Sequence, residues 1–162
     1  MLLVLLSVIA GSSAQSEKKI VILHTNDLHS RLFGFSPEAD YSPEITGNDS
    51  TRGGFSRIAT ILKNEREKNP GITLTIDGGD FLMGTLFHAL EERTGFQLRL
   101  MRMMGYDVVV TGNHEYDFGP ETLARIIHTS YSKGEIPPVL AGNAVFSDKE
   151  AEDDQLEKLF SD

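Results

Sequence analysis

Three short polar clusters in this sequence carry the residue types that bind divalent metal ions. Their members are, in chain order, Asp27 with His29, then Asp80, then Asn113 with His114. Carboxylate and amide oxygens together with imidazole nitrogens suit Zn²⁺, Mn²⁺, Fe²⁺ and similar ions. Because the sequence contains no cysteine, disulfides and thiolate metal sites are excluded.

The spacing within these clusters predicts a shared site for two ions. Asp27 and His29 are one residue apart, so on an extended segment both side chains can turn toward one ion. Asp80 follows two glycines, which would let the backbone approach the metal ions closely. Its carboxylate can bridge two cations held about 3.5–4 Å apart, the spacing of two-metal hydrolases. Asn113 can offer a neutral amide oxygen to the second ion.

His114 is free for another role if the other four residues hold the metals. It can donate a hydrogen bond to a phosphoryl oxygen or to a leaving group. Asp117, three residues later, can fix the tautomer of His114 and keep it cationic. Each of these residues alone is more often a helix cap, a turn residue or an ordinary loop histidine. Their recurrence after successive predicted strands favours the functional interpretation.

The elements around the clusters alternate between strands and helices. Apolar runs predict strands, and apolar residues at helical spacing predict helices. The predicted strands are residues 18–24, read as a buried strand, then 72–76, 107–110 and 139–141; the predicted helices are residues 54–69, 85–104 with a break near Gly95, and 120–128. This order predicts an α/β fold with a mainly parallel sheet, in which ligands bind beyond the carboxyl ends of the strands.

The two ends of the chain differ in character from the predicted domain at residues 15–146. Residues 1–14 combine an apolar run with a small-residue cleavage site at Ala14, which predicts a signal peptide and a secreted or periplasmic protein. A buried strand or an uncleaved anchor is the alternative, and the run is too short to span a bilayer. Residues 147–162 are acidic and polar, which predicts a connector or truncated end, although Leu156, Leu159 and Phe160 could form an amphipathic turn.

Charge limits the choice of partner. The 162 residues carry a formal net charge of −9, which argues against nonspecific binding of a nucleic-acid polymer. A small phosphorylated substrate remains compatible with this charge, because a bound cation reverses the local field.

The motifs resemble those of a known family. The segment IVILHTNDLHSRL (residues 20–32) looks like the first signature of the 5′-nucleotidases, within the calcineurin-like metallophosphoesterases, and GNHEYD (112–117) resembles the second. RGGFSR (52–57), GD (79–80) and LAGN (140–143) are similar to further family blocks in the right order. Thr111 and Tyr116 depart from the family pattern, but neither is a predicted ligand.

The resemblance implies roles for the same residues. It places Asp27 and His29 on the first metal ion, Asp80 between the two ions, Asn113 on the second, and His114 with Asp117 as the catalytic pair. It also implies a layered calcineurin-like fold and two divalent ions, with Zn, Mn, Fe, Co and Mg as candidates. The family completes its site with later histidines and adds a C-terminal domain that grips the nucleotide, whereas here no histidine follows His128.

The resemblance therefore predicts metal-dependent hydrolysis of nucleotide phosphate monoesters, with a missing C-terminal half required for full function. Two alternatives remain open at this point. Relatives that act on cyclic nucleotides or sulfur esters share the same N-terminal motifs, and an inactive metal-binding fragment would also carry them. On the available ligands, we expect the isolated chain to have little or no phosphatase activity.

Overall fold

The protein is described here by a computed structural model that covers residues 18–35, 51–149 and 151–161. The predicted signal peptide at residues 1–14 lies outside the described residues. Within them, no helix combines the length and the apolar character needed to cross a membrane.

A sheet of four parallel strands forms the centre of the fold. The strands lie in sequence order, with β1 and β4 at the edges, and they are β1 (Val21–Thr25), β2 (Thr73–Asp77), β3 (Val108–Val110) and β4 (Val139–Leu140). All three pairings are parallel, as the alternation of strands and helices predicted. The carboxyl ends of the strands therefore point the same way.

Helices connect and flank the strands. They are α1 (Phe55–Lys68), α2 (Glu91–Thr94), α3 (Phe96–Met104), α4 (Pro120–Lys133) and α5 (Asp154–Ser161), with 3₁₀ turns at Leu86–Leu90 and His114–Tyr116. The predicted break in the second helix is confirmed at Gly95, which has a left-handed φ of 53°. A Cβ at Gly95 would overlap the backbone of Ser130, so this glycine also allows α4 to approach closely.

The core lies between the sheet and the helices. Leu98 and Met101 of α3, Leu123 of α4 and Val109 of β3 are all fully buried. Leu156 of α5 belongs to the same buried cluster, with 1% of its surface exposed. This part of the tail therefore forms an amphipathic helix that packs on the core, as the apolar residues of the tail allowed. Burial of such apolar side chains supplies most of the driving force for folding.

The prediction that the first strand is buried was wrong. β1 is an edge strand that pairs only with β2 among the described strands, and its residues alternate between half-buried and exposed. Ile22 is 62% exposed, and Ile20, just before the strand, is 70% exposed. The continuous apolar run suggested burial on both faces, but within the described part of the chain only one face of β1 is packed.

A buried carboxyl group lies at the start of α2. Both oxygens of Glu91 face the backbone N–H of Gln97, at 3.2 and 3.3 Å. Burial raises the pKa of Glu91 to about 7, with the Gln97 hydrogen bond and the charge of Arg99 acting in the opposite direction. Desolvation thus outweighs both favourable interactions of the ionised form.

This raised pKa predicts a pH dependence of stability. Between the unfolded value of 4.5 and the folded value of about 7, the native state holds more protons at Glu91 than the unfolded state does. The free energy of unfolding therefore falls as pH rises through this window. The glutamine of Glu91→Gln does not titrate. The difference in free energy of unfolding between this variant and wild type should therefore shift in favour of the variant by on the order of 2 kcal/mol as pH rises from about 5 to about 8.

Urea unfolding of both proteins across this range measures the effect. Glu92→Gln changes the exposed neighbouring carboxylate and serves as the control, since it should leave the pH dependence of wild type unaltered. Parallel curves for Glu91→Gln and wild type would contradict the prediction.

Candidate metal centre

Backbone pairing continues past the ends of β1 and β2 and brings the first two polar clusters together. The N–H of Asp27 donates to the carbonyl of Gly79 at 3.0 Å, and the N–H of His29 donates to the carbonyl of Asp80 at 3.0 Å. The N–H of Ser30 donates to Phe81 in the same way, at 2.9 Å. Asp27 and His29 are thus fixed alongside Asp80.

The backbone at these three residues is left-handed rather than extended. The φ angles are 55° at Asp27, 48° at His29 and 56° at Asp80. The sequence-based expectation of an extended segment was therefore wrong, although the two side chains still face each other, with His29 Nε2 3.6 Å from Asp27 Oδ1. Left-handed backbone at non-glycine residues is uncommon and concentrates at ligand sites, where surrounding bonds hold it in place.

Three candidate ligand atoms from three different loops converge on one point. His29, Asp80 and His114 each offer a nitrogen or oxygen atom, and these atoms lie within 4.8 Å of one another. The rings of His29 and His114 meet edge to face, with centroids 5.0 Å apart. Two imidazoles and a carboxylate in this arrangement match the donor set of a divalent transition-metal site.

Asp80 is oriented by bonds to the loop that follows β3. Its Oδ1 accepts from the backbone N–H of His114 at 2.9 Å. The loops approach closely because two glycines face each other: a Cβ on Gly79 would overlap the backbone of Gly112, and a Cβ on Gly112 would overlap the Asp80 carboxylate. Gly79 thus allows a close approach to another loop, and the approach of this backbone to the metals stays a prediction.

His114 and Asp117 form the pair that the sequence suggested. Nδ1 of His114 lies 2.7 Å from Asp117 Oδ2. This hydrogen bond raises the pKa of His114 above its ordinary value, and the negative charges of Asp117, Asp80 and Glu115 act in the same direction, against a smaller effect of desolvation. The cationic form of His114 is therefore favoured more than that of an ordinary histidine.

Asn113 lies on the same loop as His114, between Gly112 and the 3₁₀ turn. It is exposed and borders a cleft of about 600 Å³ together with Asn143 and Asp153. This position is on the correct edge of the sheet for a ligand. Its binding to a second ion stays a prediction.

Two further carboxyl groups support the site; the sequence assigned no role to Glu115 and left Asp77 either as a partner of the ligands or as the end of a strand. Glu115 is buried and accepts three backbone N–H groups from the loops around it. Asp77, at the end of β2, accepts from Thr25 Oγ1 at 2.6 Å and from the Gly79 N–H at 3.1 Å. Burial raises the pKa of Asp77 to about 6. Only Asp77 had a signal in the sequence, its position at a strand end, because Thr25 and the N–H groups of Asp80 and Leu82 that these two carboxyl groups bind are distant in sequence.

Comparison with known proteins agrees with this geometry. Residues 20–160 match the calcineurin-like phosphoesterase family, which is most of the chain. The chain belongs to this family.

Relatives at moderate identity include several nucleotidases. The chain is 34% identical to the 5′-nucleotidase of Mus musculus, over 76% of its own length and 20% of that protein. Among solved structures, it resembles the 5′-nucleotidase precursor of Thermus thermophilus (26% identity, TM-score 0.61, 87% and 24% of the two chains). It also resembles the NAD nucleotidase of Haemophilus influenzae (29% identity, TM-score 0.59, 76% and 20%). The chain thus spans about a fifth to a quarter of these relatives.

The His114–Asp117 pair predicts a measurable change in titration. Asp117→Asn removes the charge of the carboxylate that raises the pKa of His114, and an amide is a poorer acceptor for an imidazolium N–H. The pKa of His114 should therefore fall in the variant. Proton NMR titration of the histidine ring in the metal-free protein measures this, with Glu121→Gln as a control on an exposed helical carboxylate. An unchanged His114 titration in Asp117→Asn would contradict the proposed pairing.

The contact between Gly112 and Asp80 predicts a second effect. In Gly112→Ala the new Cβ would displace the Asp80 carboxylate, so Mn²⁺ affinity should fall by roughly 10-fold or more. Gly142→Ala is the matched control, because a Cβ there meets nothing within 4 Å. Calorimetric titration of both variants with Mn²⁺ makes the comparison, and equal affinities would show that Asp80 is not held by this contact.

Proposed function

We propose that the chain is a metal-dependent phosphoesterase of the 5′-nucleotidase type, which hydrolyses phosphate monoesters of nucleotides at a two-metal site. The observation that carries this proposal is the convergence of His29, Asp80 and His114 from the loops after β1, β2 and β3. It occurs in a domain of the calcineurin-like phosphoesterase family.

The side chains on these loops fit two divalent cations. Asp27 and His29 would hold the first ion, since their side chains are already within 3.6 Å of each other. Asp80 would bridge, because it lies between the β1 loop and the β3 loop and bonds to both. Asn113 would contribute its amide oxygen to the second ion.

His114 is assigned as a catalytic residue rather than a permanent ligand. Its place in the cluster would allow either role, but a metal ligand must be a neutral imidazole. Asp117 favours the cationic form, which donates hydrogen bonds from both ring nitrogens. With Nδ1 bonded to Asp117, Nε2 is left to donate to a phosphoryl oxygen or to the leaving ester oxygen.

These positions give each group a different role in catalysis. Bound cations supply a lowered pKa for water and neutralise charge that develops on phosphoryl oxygens. Asp80 fixes the spacing of the ligand sets, while His114 stabilises the transition state or protonates the leaving alkoxide. Asp117 orients the His114 ring throughout.

The substrate class is proposed from the named relatives and from composition. The mouse and Thermus relatives are 5′-nucleotidases, and the Haemophilus relative is an NAD nucleotidase. A nucleotide is a small ligand that carries its negative charge on its phosphate. A chain with net charge −9 could bind it through metal ions at that phosphate, because bound cations reverse the local charge. The apolar run and small residues at positions 1–14 support a secreted or periplasmic location.

Turnover by the 162-residue chain should be measurable only with added metal, and it should be slow. Counting Asp80 for both ions, the proposed ligands are three for the first ion and two for the second. So few protein ligands would hold the two ions weakly, and two-metal hydrolysis needs both ions held in place.

His114→Ala tests the assignment. It should lower phosphate release from AMP by about 10²–10⁴-fold, or to background, because a positioned proton donor contributes that much. Mn²⁺ affinity should stay within a factor of about three, since the proposed ligands remain. Phosphate release by the wild-type chain with and without EDTA, beside calorimetric Mn²⁺ titration of both proteins, provides both readouts.

His128→Ala is the control, because it removes an exposed histidine on α4. Loss of Mn²⁺ binding in His114→Ala would make His114 a ligand and overturn its catalytic role. Phosphate release that is unchanged by EDTA or by His114→Ala would contradict the proposed function itself.

A further inference from the structure

The loops that carry Asp80 and His114 have no sheet pairing between them. Pairing of β2 with β3 ends at Asp77 and Val109, and the two chains continue as loops over residues 78–82 and 111–115. Their separation determines how far the Asp80 carboxylate lies from the His114 ring. Some other interaction must therefore hold these loops in place.

The side chain of Glu115 bridges the gap between the loop at residues 78–82 and the loop at residues 111–115. Its Oε2 accepts from the N–H of Asp80 at 2.9 Å and from the N–H of Gly112 at 2.6 Å. Its Oε1 accepts from the N–H of Leu82 at 2.9 Å. One carboxylate thus bonds to the backbone on both sides of the gap.

Burial makes these bonds difficult to replace. Glu115 is 3% exposed, and Leu82 beside it is 1% exposed, so water has little access to the N–H of Leu82. An unpaired N–H in such a place costs about 1–3 kcal/mol. The ionised carboxylate satisfies all three donors because each of its oxygens can accept more than one hydrogen bond.

The structure assigns Glu115 as a positioning residue that fixes the Asp80 carboxylate relative to His114 and so sets the affinity of the metal site. This inference rests on the metal site of the proposed function. Glu115 itself contacts no proposed ligand atom; it acts through the backbone of Asp80 and through Gly112, which precedes Asn113 and His114.

Glu115→Gln separates this role from ordinary support of the fold. The amide keeps the size of the side chain but has one oxygen, so at least one of the three N–H groups must face an NH₂ group. The affected bond is either that of Leu82 or those of Asp80 and Gly112. In each case the loop at residues 78–82 loses one of its two hydrogen bonds to this side chain, and in the second case Gly112 loses its bond as well.

The informative readout is hydrogen exchange at the backbone N–H of His114 in the metal-free protein. This N–H donates to Asp80 Oδ1 and not to Glu115, so it reports on the distance between the loops. In Glu115→Gln it should exchange at least about 10-fold faster than in wild type, and the Mn²⁺ dissociation constant should rise by about 10–100-fold.

Glu91→Gln is the matched control. Glu91 is also a fully buried carboxyl group that accepts a backbone N–H, but its partner is Gln97. This variant should leave both the exchange of the His114 N–H and the Mn²⁺ affinity at wild-type values. Glu115→Asp keeps the charge with a shorter reach, and it supplies the second variant if Glu115→Gln does not fold.

Each outcome has a defined meaning. Unchanged protection of the His114 N–H in folded Glu115→Gln or Glu115→Asp would overturn the inference, as would equal loss of Mn²⁺ affinity in Glu91→Gln. A wild-type chain that binds no Mn²⁺ would instead contradict the proposed function, whereas the exchange experiment would still decide whether Glu115 holds the loops.

Discussion

The site depends on the parallel alignment of β1, β2 and β3. Because all three strands end at the same edge of the sheet, the loops that follow them begin within reach of one another. Backbone hydrogen bonds then extend the pairing of β1 with β2 as far as Ser30 and Phe81. No comparable backbone pairing joins the loop after β2 to the loop after β3. Hydrogen bonds to side-chain carboxylates hold these two loops together instead.

Close packing of these loops requires unusual backbone conformations. Left-handed φ angles at Asp27, His29 and Asp80 cost free energy of order 1–3 kcal/mol each and persist only where surrounding bonds over-determine them. Those bonds come from the paired backbone and from the contact of Gly79 with Gly112. Three of the five non-glycine residues with positive φ in the described part of the chain are thus proposed metal ligands, and the other two, Ser30 and Met83, lie in the same loops.

The electrostatics of this edge favour cations. Carboxyl groups of Asp27, Asp77, Asp80, Glu115 and Asp117 gather around two histidine rings, in a chain whose net charge is already −9. Burial, with a smaller contribution from repulsion by Glu115 and Asp27, raises the pKa of Asp77, whereas the hydrogen bond to Asp117 and attraction to the nearby carboxylates raise the pKa of His114. Divalent cations would relieve this repulsion, and a phosphate ester could then approach an otherwise negative surface.

Much of this arrangement could be predicted from the sequence, because periodicity and residue type are local properties. The alternation of strands and helices predicted the parallel sheet, and the break at Gly95 was visible as a glycine inside a helical pattern. The pairing of His114 with Asp117 was predictable as well, since both residues lie on one short turn.

Other features were decided only by the tertiary structure, because they depend on contacts between distant segments. The exposure of Ile22 follows from the edge position of β1, which an apolar run does not reveal. The burial of Leu156 depends on where the tail meets the core. Glu115 is one carboxylate among many in the sequence, and its function arises only when folding places three backbone N–H groups around it.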